Sequence, residues 1–369
     1  MKKLLFIHSS LGGGGAERVL IDLLKNIDTT KFVVDFLLIF EKGIYLSQIP
    51  TNINYIGSIY KQERPFIKWF IARLHLGHLF ENKEIRNVIK SHYDTIVSFM
   101  ENIPLKYHSQ ITDLADNNVT WVHIDLLNNH YSRCSFQSLS HERKAYQSMD
   151  KIVFVSDTAK DNFKILFGIS GDKLTVIHNP IDVDRILKMS NDPIAAKEKF
   201  TLCMVGRICP QKRYDRFIEA IRLLKIQGCD VLVDILGTGQ DEGKIMQMVR
   251  DYGLSDMINF HGFCPNPYPY IKRADVFCLS SDSEGYPTVV CEAMVLGKPV
   301  VATNIVGSKD ILEHNKYGIL TNLNPESFAH GITELYQSNE KLNHYQIMAL
   351  EKAKTFGVEN VMKSIYEVL

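Results

Sequence analysis

Glu284 and Glu292 bracket the run Gly285-Tyr286-Pro287-Thr288-Val289-Val290-Cys291. The run follows an apolar stretch, Val276-Phe277-Cys278-Leu279, and passes into a helical pattern ending at Leu296. That order reads as strand, polar Gly/Pro loop, helix. Glu284 then sits on a loop at the carboxyl end of a strand, and Glu292 about two turns into the helix on a similar face. Pro287 suits the first helical position, where its missing N–H costs nothing. The N–H groups of Gly285, Thr288 and Val289 would point out of the helix start, suited to a phosphate or sugar oxygen. Carboxylates placed there can accept hydrogen bonds from sugar and ribose hydroxyls. The competing reading is two solvated surface glutamates, the ordinary fate of acidic residues.

Four further constellations weigh against that competitor. Gly12-Gly13-Gly14-Gly15-Ala16-Glu17-Arg18 follows the first apolar run and opens a helical pattern. Glycines let the backbone approach a ligand, and a helix start offers free N–H donors. The spacing breaks the dinucleotide G-x-G-x-x-G pattern, because its third glycine falls on Glu17 or Arg18. No Gly-Lys-Ser/Thr follows, so it is not a P-loop. A plain tight turn competes. Gly206-Arg207 and Lys212 lie just after the run Thr201–Val205. Arginine offers a planar donor fork and lysine a mobile point charge, a combination suited to a diphosphate. Solvated loop cations are the competitor, and a place at the carboxyl end of a strand favours function. His123 ends the run Trp121-Val122-His123, where it could hydrogen-bond a sugar hydroxyl or orient an acceptor; a satisfied core histidine competes. Gly237-Thr238-Gly239 precedes a helix, with Glu242 at the third glycine position. It reads as a tight loop lining a nucleotide base pocket.

The elements that must hold these residues alternate along the chain. Strand runs are Leu4–His8, Phe32–Phe40, Thr95–Phe99, Val119–His123 and Ile152–Val155. A second series is Thr201–Val205, Val231–Leu236, Ile258–Phe260, Val276–Leu279 and Pro299–Ala302. Helical patterns lie between them: Ala16–Ile27, Phe66–Lys90, Thr158–Phe167, Tyr214–Gln227, Asp241–Tyr252, Pro267–Ala274, Pro287–Leu296 and Pro325–Gln337. Such alternation marks parallel α/β sheets. His178-Asn179-Pro180-Ile181-Asp182 reads as a linker, since Asn-Pro favours neither helix nor strand. The expected architecture is two doubly wound domains in tandem. Ligands of such sheets bind at the carboxyl ends of the strands, and two facing domains create a cleft for a small molecule.

The 369 residues exceed what one core usually supports. A zero formal charge gives no global sign of nucleic-acid binding. Seven cysteines, an odd number without a C-x-x-C pair, fit reduced thiols of a cytosolic protein better than disulfides or a zinc site. The opening apolar run is too short for a signal peptide, and no uncharged stretch is long enough to span a bilayer. Ile59–Lys90 is basic and aromatic: seven cations against three glutamates leave plus four. Lys68 and Arg73 interleave there with Phe66, Ile67, Trp69, Phe70 and Leu74. Such a helix can lie on an anionic membrane, or simply pack on the first sheet.

Taken in order, the Gly-rich loop, Asn179-Pro180-Ile181-Asp182, Val205-Gly206-Arg207 with Lys212, Glu284-x7-Glu292 and Gly297-Lys298-Pro299-Val300-Val301-Ala302-Thr303 resemble the retaining glycosyltransferases of family 4, with the GT-B fold. The resemblance covers nearly the whole chain and is strongest over Thr201–Leu320. It implies an α/β pair of Rossmann-like domains: residues 1–183 for the acceptor, 184–350 for the nucleotide sugar, and 351–369 as a C-terminal helix crossing back. It implies that Arg207 and Lys212 bind the donor diphosphate and stabilise the leaving group. Glu292 would hold the ribose hydroxyls, and Glu284 the transferred sugar. Gly206, Gly237 and the stretch Gly285, Tyr286, Pro287, Thr288, Val289 would line the donor site. His123 would sit beside sugar and acceptor, and Gly13 and Gly14 would approach the donor phosphates or the acceptor. Family members need no metal and no cofactor beyond the nucleotide diphosphate sugar. Retention is thought to proceed on one face, a diphosphate oxygen helping to deprotonate the acceptor.

The expected activity is transfer of a hexose or N-acetylhexosamine, from a UDP-sugar, to a glycan or lipid-linked hydroxyl in cell-surface polysaccharide synthesis. The expected place is the cytoplasm, with peripheral contact to the inner membrane face. An epimerase or phosphorylase on the same fold, and a noncatalytic glycan-binding partner subunit, are the alternatives. A phosphorylase needs a phosphate site or a pyridoxal lysine, and none is visible. The intact Arg207, Lys212, Glu284 and Glu292 speak against lost catalysis.

Overall fold

A computed structural model describes residues 1–61 and 77–369 of the chain. It divides into two compact units, Met1–Pro180 with Glu359–Leu369, and Ile181–Val358.

The first unit is built on seven strands among the described residues: β1 Lys2–His8, β2 Phe32–Phe40, β3 Asn54–Tyr60, β4 Tyr93–Ser98, β5 Ala115–Val122, β6 Lys151–Phe154 and β7 Leu174–Val176. All pair in parallel, in the order β3-β2-β1-β4-β5-β6-β7. Order reverses between β1 and β4, which makes their carboxyl ends the topological switch point. Leu5 and Ile7 of β1, with Leu37, Ile39 and Ile96, pack against Ile85 and Ile89. Toward the other edge, Val122, Ile152 and Phe154 pack under Phe163 and Phe167 of the helix Asp157–Phe167. Ser156 caps that helix through its side chain and Gly168 closes it in the left-handed region.

The second unit repeats the plan with six strands: β8 Phe200–Val205, β9 Val231–Leu236, β10 Ile258–Phe260, β11 Val276–Leu279, β12 Val300–Thr303 and β13 Ile319–Thr321. Their order is β10-β9-β8-β11-β12-β13, again parallel, with the switch point between β8 and β11. Strand alternation is plain here. Leu202 and Met204, Val276 and Cys278 enter one core, while Cys203, Phe277 and Leu279 enter the other. Burial on both faces is why these strands read as unbroken apolar runs.

Several expectations change. Strands β3, β7 and β13 had no counterpart in the sequence reading. The helix holding Glu292 is Thr288–Val295, with Pro287 as its N-cap and not its first residue. Glu292 is therefore little more than one turn in. The segment 351–369 is not one helix. Asn339–Ala353 is one helix, and Val358–Val368 is another that belongs to the first unit. There Tyr366 packs on Phe32 with ring centroids 5.3 Å apart and accepts the Asp28 N–H at 2.9 Å. Residues 62–76 of the basic stretch expected as a membrane helix, with Lys68 and Arg73, lie outside the described residues. Its continuation, the helix Gly77–Val88, buries Ile85, and Arg86 pairs with Asp113 at 2.5 Å.

Candidate active site

In the second unit, two loops leave the switch point: residues 206–213 after β8 and 280–287 after β11. They bring two expected residues together. Lys212 Nζ donates to Glu284 Oε1 at 2.5 Å, with both side chains mostly buried. Ser281 Oγ donates to the same carboxylate oxygen at 2.7 Å. The Ser281 carbonyl in turn accepts from Thr303 Oγ1 at the end of β12, at 2.5 Å. Glu284 is thus held from three elements, and an ammonium and a carboxylate stand side by side at the sheet's carboxyl edge.

The loops are laced along their length. Gln211 Nε2 donates to the Ser283 carbonyl at 2.6 Å, and the Asp282 N–H donates to the Gln211 carbonyl at 2.9 Å. Ser280 Oγ donates to the Lys212 carbonyl at 2.9 Å. Glycines make the close approach possible. Gly237 has φ +138°, and a Cβ there would lie 2.0 Å from the Gly206 carbonyl oxygen. Gly206 itself takes φ +156°, and its carbonyl accepts from Tyr214 OH at 2.9 Å. Gly307, after β12, donates its N–H to the Glu284 carbonyl at 3.2 Å, and a Cβ on it would meet Pro287 Cδ at 2.6 Å. Gly285 and Pro287 are buried, Tyr286, Thr288 and Val289 partly so. Burial holds the Tyr286 phenol well above its ordinary range, so it stays a neutral donor beside Cys291. Arg207 stands apart from this cluster: it is exposed, and no side-chain partner holds it among the described residues. Glu292 lies on the helix Thr288–Val295 and is partly buried.

The first unit has its own cluster at the ends of β1, β4 and β5. Gly13 takes φ +99°, and Gly14 caps the helix Gly15–Asn26 without a side-chain bond. The loop is braced by Gly43, where a Cβ would lie 1.8 Å from the Leu11 carbonyl oxygen. His123 follows β5. Its ring lies 4.9 Å from Phe99, and its Nε2 is buried without a partner. Burial holds this imidazole down to about 4, so it is neutral at physiological pH. The His123 N–H donates to Glu101 Oε2 at 2.9 Å, and Tyr131 OH donates to Glu101 Oε1 at 2.6 Å. Burial raises the Glu101 carboxyl above its usual range. His8, at the end of β1, is fully buried with both ring nitrogens unpartnered, and burial together with His123 holds it down to about 3.

In the second unit, then, Gly206, Lys212, Gly237 and the stretch Glu284 to Val289 gather at the switch point; in the first, His123 sits with His8, Phe99 and Glu101 at the strand ends, while Gly13 packs on Ile44 and Gly14 on Glu17 in the loop after β1. The sequence reading missed Gln211, Arg213, Ser280, Ser281, Asp282 and Thr303, and also His8, Glu101 and Tyr131. The polar run Ser280-Ser281-Asp282-Ser283 directly after an apolar strand was the available signal. His8 was disguised as the last residue of an apolar strand. Among the described residues, no three His, Cys, Asp or Glu side chains gather as a metal-ligand set.

Two parallel-sheet Rossmann-like units in tandem make up the GT-B architecture. Residues 13–185 match the family model described as Glycosyltransferase Family 4, and residues 187–352 match the model for Glycosyl transferases group 1. The chain belongs to this glycosyltransferase family. It is 27% identical, over 380 aligned residues and the full length of both chains, to the N-acetylgalactosamine-N,N'-diacetylbacillosaminyl-diphospho-undecaprenol 4-alpha-N-acetylgalactosaminyltransferase of Campylobacter jejuni. Among solved structures it is similar to Anabaena Alr3699/HepE in complex with UDP and glucose. The TM-score is 0.79 and the identity 21%, covering 100% of this chain and 99% of the other. TarM is similar at a TM-score of 0.77 and 14% identity, covering 100% and 98%.

Proposed function

We propose that this glycosyltransferase moves a hexose or N-acetylhexosamine, with retention and without a metal, from a UDP-sugar to a hydroxyl of a glycan or lipid-linked acceptor in cell-surface polysaccharide assembly. The observation that carries this reading is the contact of Lys212 with Glu284 beside the start of the helix Thr288–Val295. A leaving nucleotide diphosphate gains negative charge as the glycosidic bond breaks. A fixed ammonium and helix-start N–H groups stabilise that charge best when they are in place beforehand. In this reading Lys212 and the exposed Arg207 supply the positive charge a divalent ion would otherwise bring. Glu284 orients the sugar hydroxyls and Glu292 the ribose. Gly206 and Gly237 leave room for the phosphates and base. In the first unit, Gly13 and Gly14 offer backbone N–H groups, and the neutral His123 offers a hydrogen bond to a hydroxyl.

The C. jejuni relative's name specifies a sugar-diphospho-undecaprenol acceptor, and HepE was crystallised with UDP and glucose. Both support the donor and acceptor proposed here. The test is thermal stabilisation by UDP-, GDP- and ADP-sugars with EDTA present. A shift with UDP-sugars that EDTA leaves intact is expected; saturation at a hundred times Kd stabilises by about 2.7 kcal/mol. A shift that EDTA abolishes would remove the metal-free reading. No shift from folded protein would point to a noncatalytic partner. Retention is read separately, from the anomeric configuration of the product by NMR.

A further inference from the structure

Arg213 follows Lys212 directly and occupies the left-handed region, φ +50° and ψ +48°. A side chain is rarely placed there, and a glycine would fit with less strain. Such strain persists only where the surroundings over-determine it. Here they do. The guanidinium faces two carboxylates at once. Its Nε and one Nη donate to Asp215 at 3.0 Å each, and the other Nη donates to Asp282 Oδ2 at 2.9 Å. Asp215 lies in the first turn of the helix Tyr214–Ile226. Asp282 lies on the loop that carries Glu284, two residues away. Hydrogen bonds to Asp215 and Asp282 hold the guanidinium charged well beyond its ordinary range.

Asp282 is gripped a second time. Arg216, whose side chain is 2% exposed, donates to Asp282 Oδ1 at 2.6 Å and to the Ser280 carbonyl at 2.7 Å. Ser280 Oγ closes the lattice on the Arg213 carbonyl at 3.0 Å. Four residues in a row, Gln211 to Tyr214, are thus fixed either to the Glu284 loop or to Gly206. Only Lys212 among them extends toward the Glu284 carboxylate.

We infer that Arg213 is a positioning residue for the diphosphate of the donor: its fork ties the Lys212 turn to the Glu284 loop and so fixes where the Lys212 ammonium stands. This rests on the donor-site reading above. A planar fork is required, because a lysine carries the charge but cannot bind two carboxylates in fixed geometry. In the donor-site reading above, the base and ribose fall to Gly237 and Glu292 on other elements, so the role is specific to the phosphates.

The experiment compares calorimetric affinities for UDP and for uridine, which lacks the phosphates, in the full chain. Arg213→Gly should weaken UDP at least tenfold and leave uridine unchanged. Its melting temperature should hold, because glycine relieves the left-handed turn. Arg213→Lys should be as weak for UDP as the glycine variant. In a Lys212→Ala background, Arg213→Gly should cost nothing further, because the two act as a unit. Asp282→Asn, which cuts the far end of the bridge, should reproduce the UDP-selective loss should the glycine variant prove unstable. Full UDP affinity in Arg213→Lys, or losses from Lys212→Ala and Arg213→Gly that simply add, would overturn the inference. So would equal losses for UDP and uridine. A wild-type chain that binds none of UDP, GDP and ADP brings down the donor-site reading itself, an outcome distinct from all of these.

Discussion

Lys212 and Glu284 neutralise each other in the free chain, and that mutual dependence shapes what their removal should do. Glutamine at 284 keeps the volume and an acceptor for Ser281 Oγ, but withdraws the charge that holds Lys212. Alanine at 212 leaves the Glu284 carboxylate with Ser281 alone. Loss of one preorganised charged group at a reacting centre costs about 3 kcal/mol, roughly a hundredfold in rate. Glu284→Gln and Lys212→Ala should therefore each cut turnover tens-fold or more while the chain stays folded, as far-UV circular dichroism would report. Near-wild-type turnover in both would sink the site assignment.

His8 and His123 raise a different question at the same scale. Folded, they titrate near 3 and near 4, against 6.5 for a free imidazole. Between those values the unfolded chain binds protons that the folded chain refuses. Their contribution is therefore complete above pH 6.5 and declines as pH falls toward 4, by about 1.4 kcal/mol per pH unit for each group. His108, held by burial near 4, adds to the slope, and Glu101 with its raised carboxyl opposes it at the acid end. Urea denaturation at pH 7.5, 6.0 and 5.0 should show this fall, and His8→Gln should flatten it by about 1.4 kcal/mol per unit. Parallel curves would mean that His8 is not a neutral buried base.

At the scale of elements, the sequence was most readable where physics is local. Central strands buried on both faces, such as Val231–Leu236 and Val276–Leu279, announce themselves as apolar runs. The strands that went unseen are at sheet edges or nearly so. β7 and β13 have three residues each, and β3 carries Gly57 at φ +106° beside a register shift. Their identity comes from a neighbour's ladder, which no window of sequence contains. The same holds for the site. Lys212 and Glu284 were legible as types at strand ends, but their contact depends on seventy-odd residues folding between them. Ser281 and Asp282 showed only as a polar run after a strand, and their bonds to Glu284 and Arg213 did not show at all, because a bridge between loops is not a property of either sequence alone. Glycine crowding is the element-level test. Gly237→Ala and Gly253→Ala both place a side chain at positive φ, but only the former collides with backbone, the Gly206 carbonyl. Gly253→Ala should cost about 1 kcal/mol from the turn alone. Gly237→Ala should cost clearly more and weaken UDP binding, because the loop carrying Gly206 must move. Equal melting temperatures for the two variants would show that the contact is not tight.

At the scale of the whole molecule, the chain is neutral overall, yet Ile59–Lys90 carries plus four, and no helix among the described residues is long and apolar enough to cross a membrane. A family member acting on a lipid-linked acceptor must meet a bilayer surface, and a local cationic stretch can do that without any span. The C-terminal part of the stretch is already committed, since Ile85 is buried and Arg86 is paired with Asp113, while Lys83 and Lys90 are exposed. The aromatic part with Lys68, Trp69, Phe70 and Arg73 lies outside the described residues, and its role is argued from sequence alone. Each basic side chain near an anionic surface contributes about 1 kcal/mol, and the attraction fades within a Debye length. The chain should therefore co-sediment with vesicles rich in anionic lipid at low salt. It should release in about 0.5 M salt, where the Debye length has shrunk to a few ångströms, and ignore zwitterionic vesicles. Reversing charge at Lys68 and Arg73 together changes the stretch by four units, from plus four to zero, and should abolish sedimentation while leaving UDP binding intact. Sedimentation that survives the reversal would assign the stretch to packing on the first sheet and leave the acceptor to be delivered another way.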